Sequence, residues 1–384
     1  MARRVFITVA EVSGDKHAAQ LVRSLKQLDP ELIIEGHGGP EMAEAGAKVH
    51  REMVGNAAMG WRGALRFVEI YKVLRWTKSY FDRNHPDLHI GVDSPSMNFH
   101  FARAAHRRGI PVLQYVAPQL WAWQEWRIKK VRKLIDRLAC ILPFEEEYFR
   151  RQGVAATFVG HPLFDELAEH RQKLSGEHFP QRPPVIGLLP GSRKSEAASN
   201  FPHQLEVAAA ILKEFPQAHF LVPTTPATQP IVERNLSRAG AEMRAVTETA
   251  IDEFDSMVPR CDLCLTVSGT ATLHVAGHGV PMIVVYRGSP LLWHVLGRWL
   301  VRTRTYSLVN LLSDCHEHIV PEFVPWYGSN EPVANFAIDL LKHPEKLHDQ
   351  RERLLHLIKS LNKPGASMNV AKIAMEMIDA KSLR

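Results

Sequence analysis

The sequence predicts an α/β protein with two doubly wound halves, each built on a parallel sheet, that face each other across a cleft. Short apolar runs of strand length alternate with amphipathic helical patterns from the N-terminus onward. This alternation lapses once, over the polar segment 166–184, which ends in two prolines, and then resumes. A chain of 384 residues with 45% hydrophobic residues is also long enough to bury two separate cores.

In the first half, the apolar runs predict strands over 5–10, 32–35, 88–92, 111–115 and 138–142. Apolar residues with the period of a helix predict helices over 16–28, 60–81, 98–108 and 145–152. Strands separated by helices indicate a parallel sheet with right-handed crossovers. Ligands of such sheets bind at the carboxyl ends of the strands.

In the second half, the same reasoning predicts strands over 185–189, 220–223, 263–267 and 281–286, and a helix that begins near Glu196. We therefore predict an N-terminal domain over 1–165, a linker over 166–184 and a C-terminal domain over 185–365. The final segment, 366–384, is predicted to be a helix that packs back on the N-terminal domain.

Three polar turns follow predicted strands and begin helices, at residues 13–15, 191–193 and 268–270. The first turn of a helix has unpaired N–H groups and a partial positive charge, so it favours an anion such as a phosphate. The turn at 191–193 adds an arginine, and Lys194 follows it. Together, the turns predict a phosphorylated ligand in the cleft, although each turn alone is also explained as a capped helix start.

Asp93 ends the strand over 88–92 and is followed by Ser94, Pro95 and a helix. A carboxylate at the carboxyl end of a parallel strand can act as a general base toward a substrate hydroxyl. The alternative is that Asp93 or Ser94 only caps the next helix.

No cofactor and no metal are expected. His274 and His278 lie four residues apart, a spacing that can bind zinc, but no further ligand pattern accompanies them, which favours surface or ligand-facing histidines. Cys261 and Cys264 lack a second pair, and four cysteines in this chain favour a reducing compartment. A dinucleotide is disfavoured because no Gly-x-Gly-x-x-Gly fingerprint follows the first strand.

Basic and aromatic residues alternate with leucines and valines over 60–81, 120–133 and 291–306, in a chain of net charge +6. This composition is typical of helices that lie on an anionic membrane, although for any one stretch a solvated helix with a core-facing stripe explains it as well. Nucleic acid is the rival partner, and we disfavour it because no known nucleic-acid motif is present. The residues assigned to a membrane surface are Trp61, Arg62, Arg66, Arg75, Trp76, Trp293, Arg298, Trp299 and Arg302.

A series of motifs in fixed order then points to a known family. They are EVSGD (11–15), GHGGPEM (36–42), MG (59–60), VDSPSMN (92–98), YVAPQLWAW (115–123), LPFEEEYF (142–149), FVGHPL (158–163), LLPGSRKSE (188–196), SGTATL (268–273), YR (286–287), YSLVNLL (306–312) and VPEF (320–323). In these motifs, the chain resembles the lipid-A-disaccharide synthase family, inverting glycosyltransferases of the GT-B fold with two Rossmann-like domains.

The resemblance implies a donor, UDP-2,3-diacylglucosamine, and an acceptor, 2,3-diacylglucosamine 1-phosphate, bound by the C-terminal and N-terminal domains respectively. The product would be the β-1,6 disaccharide of lipid A, with release of UDP. The enzyme would be cytoplasmic and peripheral on the cytoplasmic face of the inner membrane. A homodimer is left open.

The resemblance also implies roles for individual residues. Asp93 would be the catalytic base, and Arg193 would be needed for activity. The residues assigned to UDP and the donor are Gly191, Ser192, Arg193, Ser268, Gly269, Thr270, Ala271, Thr272, His274 and Tyr286. Those assigned to the acceptor or the cleft are Glu11, Ser13, Gly14, Asp15, Asn98, Gln119 and Asn310.

The chain departs from the family pattern at four positions. Ala10 stands where the family usually has Gly, His274 where it has Glu, Val309 where it has Pro, and Pro325 where it has Gln. The alternatives are therefore another UDP-sugar enzyme of this fold, namely a 2-epimerase or a transferase to another lipid, or a divergent inactive paralogue that only binds lipid.

Overall fold

The computed structural model describes residues 3–54, 63–122, 124–171, 183–287, 305–313, 318–361 and 363–382. Contacts between Cα atoms divide these residues into two compact units. Unit 1 comprises the described residues up to Asp165 together with those from Leu361 onward, and unit 2 comprises those from Glu166 to Ser360.

Unit 1 contains a seven-stranded sheet in which every pairing is parallel. Its strands are β1 (Arg4–Thr8), β2 (Ile33–Gly38), β3 (Lys48–Glu52), β4 (Leu88–Val92), β5 (Val112–Tyr115), β6 (Arg137–Cys140) and β7 (Ala156–Phe158). The strand order is β3-β2-β1-β4-β5-β6-β7, so the order reverses between β1 and β4. In doubly wound sheets, this switch point opens a crevice at the carboxyl ends of the strands, where ligands bind.

The helices of unit 1 are α1 (Val12–Leu28), α2 (Pro40–Glu44), α3 (Gly63–Asn84), α4 (Pro95–His106), α5 (Ile128–Leu134), α6 (Pro143–Arg151) and α7 (Pro162–Arg171), whose second half belongs to unit 2. The last helix of the chain, which we label α16 (Ala366–Ser382), also belongs to unit 1. It packs on α1, and its buried Val370, Ala374 and Ile378 join the core formed by β1, β4 and α1.

The central strands form because most of their side chains are apolar and are buried on both faces. All five residues of β4 are buried, and so are four of the five residues of β1. Close contact between strands also requires a glycine in β2, because a Cβ atom on Gly36 would lie 1.9 Å from the carbonyl oxygen of Ile7. Burial of the apolar residues on both faces supplies the main driving force for folding of this unit.

Unit 2 contains a six-stranded parallel sheet. Its strands are β8 (Val185–Leu189), β9 (His219–Thr224), β10 (Thr247–Ile251), β11 (Leu263–Thr266), β12 (Met282–Arg287) and β13 (Glu322–Trp326). The strand order β10-β9-β8-β11-β12-β13 reverses between β8 and β11, so unit 2 has a switch point of its own.

The described helices of unit 2 are α8 (Lys194–Glu214), α9 (Gln229–Ala239), α10 (Ala241–Ala245), α11 (Phe254–Met257), α12 (Thr270–Gly277), α13 (Leu308–Leu312), α14 (Glu331–Lys342) and α15 (Pro344–Leu361). The core of the unit packs α8 and α14 against the sheet through residues such as Phe201, Ile211 and Val333. Within the parts of the chain that the structure describes, no helix is long and apolar enough to cross a lipid bilayer.

The predicted fold class, two α/β units built on parallel sheets, is confirmed. The structure adds four strands that the sequence analysis missed, β3, β7, β10 and β13, and each of them lies at an edge of its sheet. The segment predicted as a linker begins as helix, because α7 extends to Arg171, and Leu167 of this helix packs against Gly277. Residues 172–182 lie outside the described residues.

Candidate functional site

In unit 1, the turn after β4 has an unusual backbone conformation. Asp93 and Ser94 have φ angles of 51° and 38°, in the left-handed region that residues with a side chain rarely adopt. Such a conformation costs about 1–3 kcal/mol per residue and is found mostly where function requires it. Val116, directly after the neighbouring strand β5, has a φ of 68°, which is a true outlier for a β-branched residue. The strained residues thus cluster at the carboxyl ends of two adjacent strands.

Buried side chains hold the Asp93 turn in place. Asn98 donates its amide Nδ2 to the carbonyl oxygens of Val92 (3.0 Å) and Asp93 (2.7 Å), and its Oδ1 accepts a bond from Thr8 Oγ1 at 2.8 Å. Gln114 Nε2 donates to the same Asp93 carbonyl at 3.1 Å. Asn98, which we predicted to line the cleft, therefore positions the turn from inside.

The N-terminus of α1 lies beside this turn, at the switch point between β1 and β4. A Cβ atom on Gly14 would lie 2.5 Å from Val9 Cγ2 and 3.4 Å from Asp93 Cβ, so only glycine lets α1 approach this closely. Glu11 and Ser13 are exposed at the same helix end. The structure therefore places Gly14 against Asp93, with Ser13 next to Gly14 in the chain.

Asp15 is buried, unlike its neighbours Glu11 and Ser13 at the same helix end. Its Oδ1 accepts the backbone N–H of Gly39 at 2.8 Å, and its Oδ2 accepts that of Glu41 at 3.0 Å. The carboxylate thus holds the loop between β2 and α2. Asp15 acts on this loop rather than presenting its carboxylate to solvent.

Gln119, also predicted for the acceptor, is exposed in the loop after β5. In the same loop, Trp121 Nε1 donates to Oε1 of the buried Glu145 at 3.0 Å, and the backbone N–H of Leu142 donates to its Oε2 at 3.2 Å. Burial raises the pKa of Glu145 to about 7, and these hydrogen bonds oppose the shift only in part. Glu145 therefore links the loop after β5 to the start of α6.

In unit 2, residues 191–193 form the turn between β8 and α8. Gly191 has a φ of 104°, and a Cβ atom there would lie 2.6 Å from Glu196 Oε2, so the turn requires glycine. Ser192 is exposed. Arg193 precedes the first residue of α8, and its side chain is 73% exposed. Its Nη1 donates to Glu196 Oε1 at 2.8 Å.

Tyr286, at the end of β12, lies within the electrostatic influence of this pair. Burial raises the pKa of its hydroxyl, the Glu196 carboxylate raises it further, and Arg193 opposes both. The charges of Arg193 and of Glu196, a residue not assigned from the sequence, thus act on the predicted donor residue Tyr286.

The second turn of unit 2 follows β11 and begins α12. Gly269 has a φ of 143°, and a Cβ atom there would meet no atom of the described residues within 4 Å. Thr270 is exposed and Ala271 is half-buried. Thr272, in contrast, is buried and donates its hydroxyl to the Gly269 carbonyl at 2.8 Å, which makes it a structural residue of the turn.

A partly buried hydrogen-bond network supports this turn. Ser268 Oγ donates to the Tyr306 carbonyl at 2.5 Å. Glu322 at the start of β13 accepts the N–H groups of Tyr306 and Ser307, both at 2.9 Å, and Asn310 Nδ2 at 2.8 Å. Asn310 also accepts the backbone N–H of Val320 at 3.0 Å. Asn310, predicted for the acceptor, is therefore an internal residue of unit 2.

His274 lies on α12 and contacts a residue that the sequence analysis did not consider. Its Nε2 and the Nε2 of His278 lie 2.6 and 2.8 Å from the same oxygen, Asp255 Oδ1. Burial raises the pKa of Asp255, but the hydrogen bonds and charges of the two imidazoles outweigh it and hold this pKa well below its usual value. These three side chains have the chemistry of metal ligands, with all three donor atoms within 4.8 Å of one another.

Of the residues predicted to face a membrane, only Arg75 and Trp76 have described side chains. Arg75 is exposed on α3, but Trp76 is half-buried: its ring stacks on Tyr80 at 5.2 Å and lies 4.8 Å from the His50 ring. Residues four apart on a helix share a face, so Trp76 packs with Tyr80 rather than projecting outward. Arg66 lies on α3 without a described side chain, and the others, Trp61, Arg62, Trp293, Arg298, Trp299 and Arg302, lie outside the described residues.

Other exposed aromatic residues accompany the basic stretches. Tyr71 on α3 is 63% exposed beside Lys72 and Arg75, and Trp126 is 60% exposed beside Lys129. Both belong to stretches that the composition singled out, although neither was assigned individually.

Two solved structures share this fold over almost the whole chain. A UDP-GlcNAc 2-epimerase from Neisseria meningitidis, bound to UDP-GlcNAc, matches with a TM-score of 0.63 at 13% identity, covering 98% of this chain and 99% of its own. A glycosyltransferase from Rickettsia africae matches with a TM-score of 0.57 at 11% identity, covering 99% of each chain. The fold, with a polar turn at each switch point, defines a protein of the two-domain GT-B class.

Sequence comparison narrows this class to one family. The family model of lipid-A-disaccharide synthetase matches residues 5–377. A lipid-A-disaccharide synthase from Geobacter metallireducens is 35% identical over 99% of this chain and 98% of its own length. Another, from Nitrosococcus oceani, is 32% identical over 99% and 97%. The chain belongs to the lipid-A-disaccharide synthetase family, and it is a glycosyltransferase of lipid A synthesis, which confirms the predicted family and activity.

Proposed function

We propose that the protein transfers 2,3-diacylglucosamine from its UDP derivative to the 6-hydroxyl of 2,3-diacylglucosamine 1-phosphate. The products are the β-1,6 disaccharide and UDP, and the configuration at the anomeric carbon is inverted. The family supports the reaction, and a protein of the same fold was solved with a UDP-sugar. The observation that carries the mechanism is the strained Asp93 turn at the switch point of unit 1.

Asp93 is the proposed general base. Its carboxylate stands at the carboxyl end of β4, beside the N-terminus of α1, on a backbone that Asn98 and Gln114 hold in a costly conformation. The carboxylate takes the proton of the acceptor hydroxyl while the hydroxyl oxygen attacks the anomeric carbon. The bond between that carbon and the diphosphate oxygen breaks, and UDP leaves with the electron pair.

Unit 2 is proposed to bind the departing UDP. Arg193 is largely exposed at the start of α8, and an exposed ion pair such as Arg193–Glu196 is weak, so a diphosphate can displace Glu196. The helix start at Gly269 adds backbone N–H groups and a helix dipole. These fixed charges stabilise the leaving group, and the proposed transfer needs no metal ion.

Both substrates carry acyl chains, so the enzyme must reach them in a membrane. We propose that it binds peripherally to the cytoplasmic face of the inner membrane. Tyr71 and Trp126, exposed next to arginines and lysines, are suited to the interface between headgroups and acyl chains. The charge of the neighbouring cations favours anionic lipids.

The test is mass spectrometry of the products formed from both acylated substrates in detergent. The expected result is the disaccharide phosphate and UDP for the wild type and a loss of about 10²–10⁴ in kcat for Asp93→Asn, with little change in donor binding. Asp82→Asn is the matched control, because Asp82 is an exposed carboxylate that pairs with Arg108 on the surface of the same unit. An epimerised UDP-sugar without disaccharide, or a fully active Asp93→Asn enzyme, would contradict the proposal.

A further inference from the structure

We infer that Asp255, His274 and His278 form a binding site for one transition-metal dication, such as Zn²⁺ or Co²⁺. The site lies within unit 2, between α11 and the C-terminal end of α12. This inference does not rest on the proposed transfer reaction, because its readout is the binding of the ion itself.

The three ligand atoms already lie close together, within 4.8 Å of one another. Nε2 of His274 and Nε2 of His278 both approach Asp255 Oδ1, at 2.6 and 2.8 Å. In a tetrahedral zinc site with bonds of about 2.0–2.1 Å, neighbouring ligand atoms lie about 3.4 Å apart. A shift of well under 1 Å by each side chain would therefore open the cluster enough to admit an ion.

Packing restricts the orientation of the ligands before any ion binds. The His274 and His278 rings are nearly parallel, with centroids 5.5 Å apart and an angle of 19°, because residues four apart lie on one face of α12. Phe254, the residue before Asp255, stacks on the other side of the His274 ring at 4.3 Å and 28°. The same short helix, α11, therefore supplies the carboxylate and fixes one imidazole, and such outer contacts raise metal affinity.

The ligand set selects the class of ion. Two imidazoles and one carboxylate suit Zn²⁺, Co²⁺ or Ni²⁺, whereas Mg²⁺ and Ca²⁺ prefer oxygen ligands. The His278 side chain is 1% exposed but that of Asp255 is 36% exposed, so the cluster is anchored in the protein and accessible from one side. Three protein ligands and access to solvent leave a coordination position for water.

The competing interpretation is that the two histidines only tie α11 to α12 through Asp255. A direct measurement of metal binding distinguishes this interpretation from a metal site. The protein, without a polyhistidine tag and after dialysis against EDTA, is titrated with Co²⁺ and its visible d–d absorption is recorded. We expect about one Co²⁺ per chain in a site that Zn²⁺ displaces and Mg²⁺ does not.

Asp255→Asn and His278→Gln should each weaken Co²⁺ binding by at least about tenfold. His343→Gln is the matched control: it removes an imidazole from an exposed His–Asp pair, His343–Asp339, and should leave the titration unchanged. Because His278 is buried, its variant is checked for folding by circular dichroism. If this variant misfolds, Co²⁺ binding by Asp255→Asn, a change at a more exposed residue, decides the test. Two results would overturn the inference. One is the absence of a d–d band in the wild type. The other is equal Co²⁺ binding by the wild type and Asp255→Asn, which would indicate an adventitious ion only.

Discussion

Arg193 and Glu196 face each other across the first turn of α8, with Arg193 Nη1 donating to Glu196 Oε1 at 2.8 Å. The guanidinium is 73% exposed and the carboxylate 17% exposed. The carboxylate is therefore mostly enclosed by the protein, whereas the guanidinium is largely in contact with solvent. A diphosphate that approaches the turn would compete with Glu196 for Arg193.

This relationship predicts a large effect of Arg193→Ala on the transfer reaction. Loss of one group that stabilises developing charge in an active site lowers kcat by about 10²–10³. Stability should change little, because the guanidinium is largely exposed to solvent. Steady-state kinetics with both acylated substrates measure the effect. Arg260→Ala, which breaks the exposed pair Arg260–Glu248 in the same unit, is the control and should have wild-type kinetics.

A second prediction concerns the support of the Asp93 turn. Asn98→Ala removes bonds to Val92, Asp93 and Thr8 and leaves buried polar atoms without partners, which should lower the free energy of unfolding by about 1–3 kcal/mol. It should lower kcat more than it raises the KM for the donor, because the turn positions the proposed base. Urea denaturation and kinetics measure the two effects.

The control for this variant is Asn235→Ala on α9, where the amide donates to the backbone carbonyl of Ile231, four residues earlier. Its stability and kinetics should match those of the wild type. Wild-type kcat for Asn98→Ala would exclude a positioning role.

The interior of both sheets could be predicted from sequence, and their edges could not. The strands β4 and β8 have the predicted bounds, because all their residues are buried and all but His89 are apolar. The edge strand β3, with the sequence KVHRE, has no buried residue, and β10 has none either. An edge strand pairs on one side only and is stabilised by backbone bonds more than by side-chain burial, so its composition carries little signal.

The turns of the candidate site were predictable, but their partners in space were not. Residues 191–193 and 268–270 were found because a polar turn after an apolar strand is a local pattern. Asp255 and Glu322 were missed because the residues they bind lie 19 and 12 positions away, across other elements. Glu196 could have been found, because a Glu three residues after a helix cap is a known pattern of helix starts.

Buried histidines predict acid sensitivity of unit 1. Burial lowers the pKa of His17 to about 4, of His37 to about 3 and of His89 to about 4. Below the ordinary pKa of 6.5, the unfolded chain binds protons that the native state rejects, so stability falls as the pH falls from 6.5 toward 4. For each histidine, the free energy of unfolding should fall by about 2 kcal/mol between about pH 7 and about pH 5.

This dependence is measured by urea denaturation of the wild type and of His89→Gln at both pH values. The variant should lose less stability on acidification than the wild type does. His219→Gln, at an exposed position of β9, should behave like the wild type. An identical loss in the wild type and in His89→Gln would refute the prediction for this residue.

Glu145 predicts the opposite dependence in the same unit. Its carboxyl is buried and has a pKa of about 7, above the ordinary 4.5, so the native state keeps a proton that the unfolded chain loses. The contribution of Glu145 to the free energy of unfolding is therefore complete below about pH 4.5. It decreases by about 3 kcal/mol as the pH rises to 7. Glu145→Gln cannot ionise and should abolish this part of the slope, although it leaves either Trp121 or Leu142 without an acceptor. Glu147→Gln, an exposed change on the same helix, is the control and should keep the wild-type dependence of stability on pH. If Glu145→Gln also kept that dependence, the Glu145 carboxyl would be ionised in the native protein.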